Sequence, residues 1–161
     1  MADEKVLVVY YSRTGTTKKL AEAIAAALGC ETEELVDTKD RKGVKGYMKA
    51  GRDAMKKRIT VLEPVRNDPA GYDLVILGTP VWAWSMAPAV RTYIAEHKEA
   101  LGKVAFFLTT GGTGIERTFE HMATACGKEP VATLGLKAKE VKKGDLAAQV
   151  EGFVAALNVS G

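Results

Sequence analysis

The sequence predicts an α/β fold, a parallel sheet with helices on both faces, from three observations. Strand-like and helix-like segments alternate five times over 161 residues, the order that builds parallel strands joined by crossover helices. Three of the strand-like segments are continuous apolar runs, as strands covered on both faces require. Each of those runs ends in a loop of unusual composition. In such sheets ligands lie beyond the carboxyl ends of the strands, where the strand order reverses.

The first run, KVLVVYY at 5–11, is rich in Val and Tyr. It leads to a helix whose apolar positions Leu20, Ile24, Ala27 and Leu28 recur at helical spacing, closed by Gly29. ETEELV (31–36) alternates and reads as a second, shorter strand. DLVILGT (73–79) and KVAFFLTT (103–110) are the other buried runs, and PVATLGL (130–136) is a weaker fifth strand. Helices are expected at about 86–97, 115–126 and 144–157, the last with Leu146, Val150, Phe153, Val154 and Leu157 along one face. A single domain over 1–161 accommodates them all and is large enough to bury a two-sided core.

Charge is modest overall, at +3, but unevenly spread. Nine Lys or Arg stand between Lys39 and Arg58 against Asp40 and Asp53 alone, so the remainder is net negative. This segment, 39–58, is expected to be a basic helical insertion. It puts Lys45, Lys49, Arg52 and Lys56 on one helical stripe beside an apolar stripe of Val44, Met48, Gly51 and Met55. A helix that packs its Met face and leaves its lysines in water is the plainer reading.

Several function classes are disfavoured. Cys30 and Cys126 have neither CxxC nor disulfide-framework spacing, and neither has an Arg six residues on, as a phosphatase loop would. The start, MADEKVLVVYY, has too short an apolar stretch for a signal or a membrane span, so a cytoplasmic location is expected. His97 and His121 stand alone, no spacing fits a metal site, and no Ser-His-Asp or paired-carboxylate set is visible; no catalytic residue is assigned.

The loops carry the functional signal. In SRTGTT (12–17), four hydroxyls surround Gly15 at the start of a helix, where free N–H groups and the dipole favour an anion such as phosphate. No GK[S/T] follows, so NTP hydrolysis is not expected. In GTPVWAWSMAP (78–88), Trp82 offers a flat face to a planar ligand, with Thr79 and the backbone bonding its polar edge. Both indoles could instead cap the sheet end as core; for Trp84 the two readings balance, whereas Trp82, directly after TPV, reads as ligand-facing. In TTGGTGIE (109–116), glycines would admit backbone N–H groups to the edge of a ligand lying between the second and third loops.

These loops carry a resemblance. YYSRTGTTKKLAEAI is similar to the phosphate-binding loop of the flavodoxin-like family, whose pattern is S/T-x-T-G-x-T. GTPVWA…MAPAV resembles that family's second flavin loop and LTTGGTG its third, and the likeness runs through nearly the whole chain. It implies a three-layer sandwich with a five-stranded parallel sheet in the order 2-1-3-4-5, binding FMN. Ser12, Arg13, Thr14, Gly15, Thr16 and Thr17 would wrap the phosphate. Thr79, Pro80, Val81, Trp82 and Ala83 would line the isoalloxazine, with Trp82 against it, and Thr110, Gly111 and Gly112 would close the other side.

The function implied is electron transfer, with an NAD(P)H-dependent quinone reductase or a binding module without redox turnover as alternatives. The expected partner is a redox protein or small electron acceptor, acidic or phosphate-bearing, docking on Lys45, Lys49, Arg52 and Lys56. Nucleic acid is disfavoured, because no reading helix or aromatic ladder accompanies the charge. A receiver-type signalling domain would need clustered aspartates where Ser12 and Thr79 stand.

Two departures from the resemblance matter. The pI is about 8.8 where the family's small carriers are acidic, and the third loop offers only Glu116. Negative charge opposes an anionic reduced ring, so its loss predicts a less negative midpoint potential. Trp84 stands where several relatives carry a small residue. It either narrows access to the ring or replaces the aromatic missing from the third loop.

Overall fold

A computed structural model describes residues 4–38, 52, 59–144 and 146–159. Five parallel strands, β1 (Val6–Tyr10), β2 (Glu31–Glu34), β3 (Leu74–Trp82), β5 (Lys103–Thr110) and β6 (Thr133–Lys137), form a sheet in the order β2-β1-β3-β5-β6. Counting the parallel strands alone, this is the expected 2-1-3-4-5. A two-residue strand, β4 (Ser85–Met86), folds back antiparallel on the end of β3. The helices are α1 (Thr16–Leu28), α2 (Pro88–His97), α3 (Ile115–Cys126), α4 (Ala138–Lys142) and α5 (Ala147–Leu157).

Alternation along the strands divides the core into two. Leu7 and Val9 of β1, with Val75 and Leu77 of β3, meet Val90, Tyr93 and Ile94 of α2 and Met122 of α3. Val8 and Tyr10, with Ile76 of β3, face the other way, onto Leu20 and Ile24 of α1 and Val150 and Phe153 of α5. Leu20, Ile24, Leu7 and Ile76 are all 0% exposed, each side chain contributing roughly 1.5–3 kcal/mol through burial. This is why the central strands read as unbroken apolar runs.

The boundaries differ from expectation where tertiary pairing intervenes. β3 continues beyond residue 79 to Trp82, because Val81 pairs with Met86 and Trp82 with Ser85 across a tight turn. The expected second loop is therefore mostly a hairpin. α2 starts at Pro88, whose fixed φ and missing N–H suit a first helical position. The helix expected at 144–157 begins at Ala147, and α4 follows β6 directly. The chain returns to the sheet past Glu33, a buried carboxylate that accepts from the N–H groups of Arg66 (2.9 Å) and Asn67 (2.8 Å). The basic helix expected at 39–58, with Lys45, Lys49 and Lys56, lies outside the described residues; Arg52 alone is described, helical and exposed.

Candidate functional site

All three singled-out loops meet at the carboxyl end of the sheet. The first leaves β1 in line with β3, the N–H of Tyr11 donating to the Gly78 carbonyl at 3.2 Å. The Ser12 hydroxyl then accepts from the N–H of Gly15 at 3.0 Å, closing a short turn. Gly15 sits at φ 96°, a left-handed conformation that glycine adopts without steric penalty. It closes the short loop 11–15 that joins β1 to α1. No side chain caps α1 and no acidic residue lies in its first turn, so the positive end of its dipole is unopposed. Thr14 and Gly15 are exposed, and Ser12, Arg13 and Thr16 are partly so.

Thr17 behaves differently from its neighbours. It is 1% exposed, and its hydroxyl bonds the Thr109 hydroxyl of β5 at 2.8 Å. The fourth hydroxyl of the loop thus holds the start of α1 to the third loop's strand. Thr79 is also turned inward. At 0% exposed, its hydroxyl donates to the Pro80 carbonyl (2.8 Å) and accepts from the N–H of Ala87 (3.0 Å), clamping the two arms of the hairpin.

Pro80, Val81, Trp82 and Ala83 are partly exposed along the hairpin's outer arm. Trp82 meets Tyr11 edge-on, ring centroids 5.4 Å apart. The turn itself is built from Ala83 (φ 49°) and Trp84 (φ 62°). A two-residue hairpin turn of this kind needs positive φ at both positions and ordinarily recruits Asn and Gly. Here each non-glycine residue carries about 1–2 kcal/mol of left-handed strain. Such strain persists only where surrounding structure holds it.

What holds it is the third loop. A Cβ on Gly114 (φ 88°) would lie 3.0 Å from Val81 Cγ1 and 3.1 Å from both Cα and Cδ1 of Trp84. The Trp84 indole therefore rests against the entry to α3 while remaining 50% exposed. It stands on the third loop's side of the cleft. Thr110, nearly buried, orders the same loop: its hydroxyl donates to the Thr113 carbonyl at 2.6 Å and accepts from the N–H of Gly112 at 3.2 Å. Gly111 and Gly112 are exposed at the rim.

Between hairpin and third loop lies a cleft of about 400 Å³, lined by Val81, Ala83, Trp84, Thr110, Gly111, Gly112 and Thr113. Its size and shallow polar edge suit part of a planar ligand. A cavity of about 860 Å³ at the opposite end of the sheet is larger but chemically unsuited to an anion. Its lining sets Glu4 and Glu31 against a single cation, Lys5, and Gly29 brings the carbonyl end of α1 there. The N-terminus of α3, for its part, already carries Glu116 in its first turn. Among the described helices, only the entry to α1 combines an unopposed positive dipole with exposed hydroxyls.

Sequence reasoning assigned no role to Thr109, Thr113, Ser85, Arg91 or His121. Two adjacent threonines ending an apolar strand were the available signal for Thr109. The contact of Ser85 with His121 Nδ1 (2.8 Å) joins residues 36 positions apart and has no local signature. His97 packs on Tyr93 at 4.5 Å. Burial pushes both thiols up to about 11, so neither cysteine is a nucleophile at neutral pH. Among the described residues, no cluster of three or more His, Cys, Asp or Glu could hold a metal, and no helix is long and apolar enough to cross a membrane.

A family model described as Flavodoxin matches residues 5–153. Among solved structures, a flavoprotein from Lactobacillus acidophilus NCFM in complex with FMN is 27% identical, with a TM-score of 0.71 over 87% of this chain and 97% of that one. Two-electron reduced flavodoxin from Megasphaera elsdenii is 19% identical with a TM-score of 0.62, covering 94% and 97%. The apo form of an NADH:FMN oxidoreductase is 15% identical with a TM-score of 0.59, covering 98% and 91%. The last two show likeness of fold alone.

Proposed function

Because this chain belongs to the flavodoxin family, we propose that it binds FMN and acts in electron transfer. The observation that carries this reading is the uncapped, acid-free start of α1 beside a cleft of planar dimensions at the same end of the sheet. The Lactobacillus relative, bound to FMN, supports it.

In this reading Ser12, Arg13, Thr14, Gly15 and Thr16 surround the phosphate with backbone N–H groups, hydroxyls and one cation. Thr17 keeps that loop in register with β5 through Thr109. Val81, Trp82 and Ala83 line one side of the ring, and Thr110, Gly111 and Gly112 the other, with Thr79 clamping the hairpin that presents the first set. Bound FMN supplies exchange of one or two electrons. The protein supplies position, water exclusion and field. The half-exposed Trp84 at the rim leaves a ring edge open to a partner while limiting the room for a stacked hydride donor, which favours a carrier over a reductase.

Lys45, Lys49, Arg52 and Lys56 would meet an acidic redox protein or a phosphate-bearing acceptor. A cytoplasmic setting agrees with two cysteines that both stand free.

The test is the visible absorption spectrum of the purified protein, before and after adding FMN. Flavin bands retained through gel filtration, with quenched ring fluorescence, are expected. A colourless protein that leaves FMN fluorescence unchanged would reject the reading. Steady NAD(P)H oxidation with a quinone would replace the carrier with a reductase.

A further inference from the structure

Behind the Val81–Trp84 turn lies a charge whose position works against the stability of the fold. Arg91 is in the first turn of α2, the end of a helix where a cation is disfavoured, and no acidic residue offsets it there. Its Nη2 donates to the Ser85 hydroxyl at 2.9 Å, and that hydroxyl also meets Nδ1 of His121 on α3 at 2.8 Å. Ser85 is 2% exposed and pairs with Trp82 across the hairpin. Arg91 is partly buried, with its Nε enclosed and lacking a hydrogen-bond partner.

No carboxylate among the described residues is within ion-pair distance of it. By contrast, Arg66 lies beside Glu33 at 3.8 Å with its side chain 79% exposed. Burial pushes the Arg91 pKa down, yet a guanidinium starts high enough to stay charged at neutral pH. Desolvation, a missing counter-charge and the wrong helix end all oppose a cation here. A rule broken at several levels at once is expected beside a functional site.

We propose that Arg91 tunes the flavin site electrostatically: it is an uncompensated cation, held behind the Trp82–Ser85 hairpin by the Ser85 hydroxyl, that favours the reduced flavin. The inference rests on the FMN reading. Two electrons and one proton from an external reductant convert the neutral oxidised ring to a reduced ring bearing one negative charge. Arg91 stays protonated throughout and transfers nothing. A fixed positive charge stabilises the charged product over the neutral reactant and so raises the midpoint potential. Arg91 thus acts in the same direction as the scarcity of acidic residues in the third loop.

The test compares midpoint potentials of the FMN-loaded full chain, measured against a reference dye during dithionite reduction. Arg91→Gln keeps an N–H donor for Ser85 and removes the charge; Arg91→Lys keeps the charge. In Arg91→Gln, the ratio of reduced to oxidised flavin at a fixed potential should fall about tenfold, a two-electron shift of about −30 mV. In Arg91→Lys it should stay within about threefold of wild type, a shift of about 14 mV or less on the same scale. Much of the difference should survive a rise in salt from about 0.05 to 0.5 M, because a partly buried charge is screened less than an exposed one.

An unchanged potential in Arg91→Gln overturns the proposal. Equal shifts in both variants also overturn it, since they would report lost hairpin geometry and not lost charge. Should Arg91→Gln fail to fold or retain FMN, Ser85→Asp sets a carboxylate against the guanidinium and must lower the potential likewise. No shift there, or failure of both variants to fold, marks a purely structural tie and overturns the proposal. A wild-type chain that takes up no FMN would remove the premise instead, an outcome read before any variant is made.

Discussion

The two ends of the sheet share a helix, α1, and differ in almost everything else. At the carboxyl end α1 begins behind Gly15 with no cap and no acidic residue. At the amino end it finishes in an orderly way, Cys30 N–H donating to the Ala25 carbonyl (3.1 Å) and Gly29 N–H to that of Ala26 (3.4 Å). Strain is greater at the first end, where Ala83 and Trp84 hold left-handed conformations in a turn that glycine would make more easily; at the second end Asn158 is left-handed too, but asparagine tolerates that conformation better. The larger cavity lies at the second end, among Glu4, Glu31 and helix carbonyls. Volume alone would select the wrong end. Field direction and stored strain select the other, because a phosphate-bearing ligand answers to charge before it answers to space.

The largest test of this contrast uses two glycines of similar φ. Gly114→Val should lose about 1–3 kcal/mol in urea denaturation through left-handed strain, with crowding of Val81 and Trp84 in addition, and should abolish FMN uptake. Gly29→Ala, with nothing within 4 Å of its new Cβ, should lose only about 1–2 kcal/mol and leave FMN uptake intact. Equal loss of FMN in both would erase the distinction between the ends.

Thr17→Val should come next. It strands the buried Thr109 hydroxyl, for an expected loss of about 1–3 kcal/mol. Adding Thr109→Val should recover much of that loss in a double-mutant cycle, since both polar groups are then gone. Additive losses would mean that the hydroxyl pair does not bind the first loop to the third.

Trp84→Gly should move stability and binding in opposite directions. Relief of the turn should raise the melting stability of the ligand-free chain by about 1 kcal/mol, while FMN dissociates faster as one wall of the cleft is lost. A variant that loses both would show the indole to be core and not a wall.

The last test belongs to the thiols of partly buried Cys30 and buried Cys126. Cys30 lines the amino-end cavity and Cys126 is the buried last residue of α3, and burial lifts both from 9.0 to about 11. A raised pKa in the folded state means stability that is complete below pH 9 and declines as pH climbs toward 11, where only the folded thiols remain protonated. Urea midpoints at pH 8 and pH 10 should show that decline. Replacing both cysteines with Ala should reduce it, leaving the smaller part due to Tyr10, Tyr72 and Tyr93, whose pKa values are also raised. Iodoacetamide should label Cys30 slowly at pH 8 despite its place beside a large cavity.

Much of this was legible in the chain itself. SRTGTT could be read because a strand-to-helix turn is local: Gly15, the hydroxyls and the apolar face of α1 all fall within a few residues. The roles inside the loop were not legible. Ser12, Thr14, Thr16 and Thr17 look alike in sequence, yet Thr17 is buried against a threonine 92 residues away. Thr79 was read as a ligand-facing hydroxyl and is enclosed, because β3 continues past it into a hairpin. That hairpin was read as loop because its turn is Ala-Trp, which carries no turn signal.

Periodicity and composition determined the five parallel strands and the longer helices, though not β4 or α4, and the loops pointed to the end at which an anion would sit; resemblance to a family supplied the strand order. These depend on repeating local preferences and on the fixed polarity of a parallel strand followed by a helix. Which hydroxyl points outward, which glycine must remain glycine, and where the Arg91 guanidinium finds a hydrogen-bond partner were decided by tertiary packing alone. A side chain's role at such a site depends on neighbours brought from distant strands and helices, and no local pattern in the sequence encodes their distance.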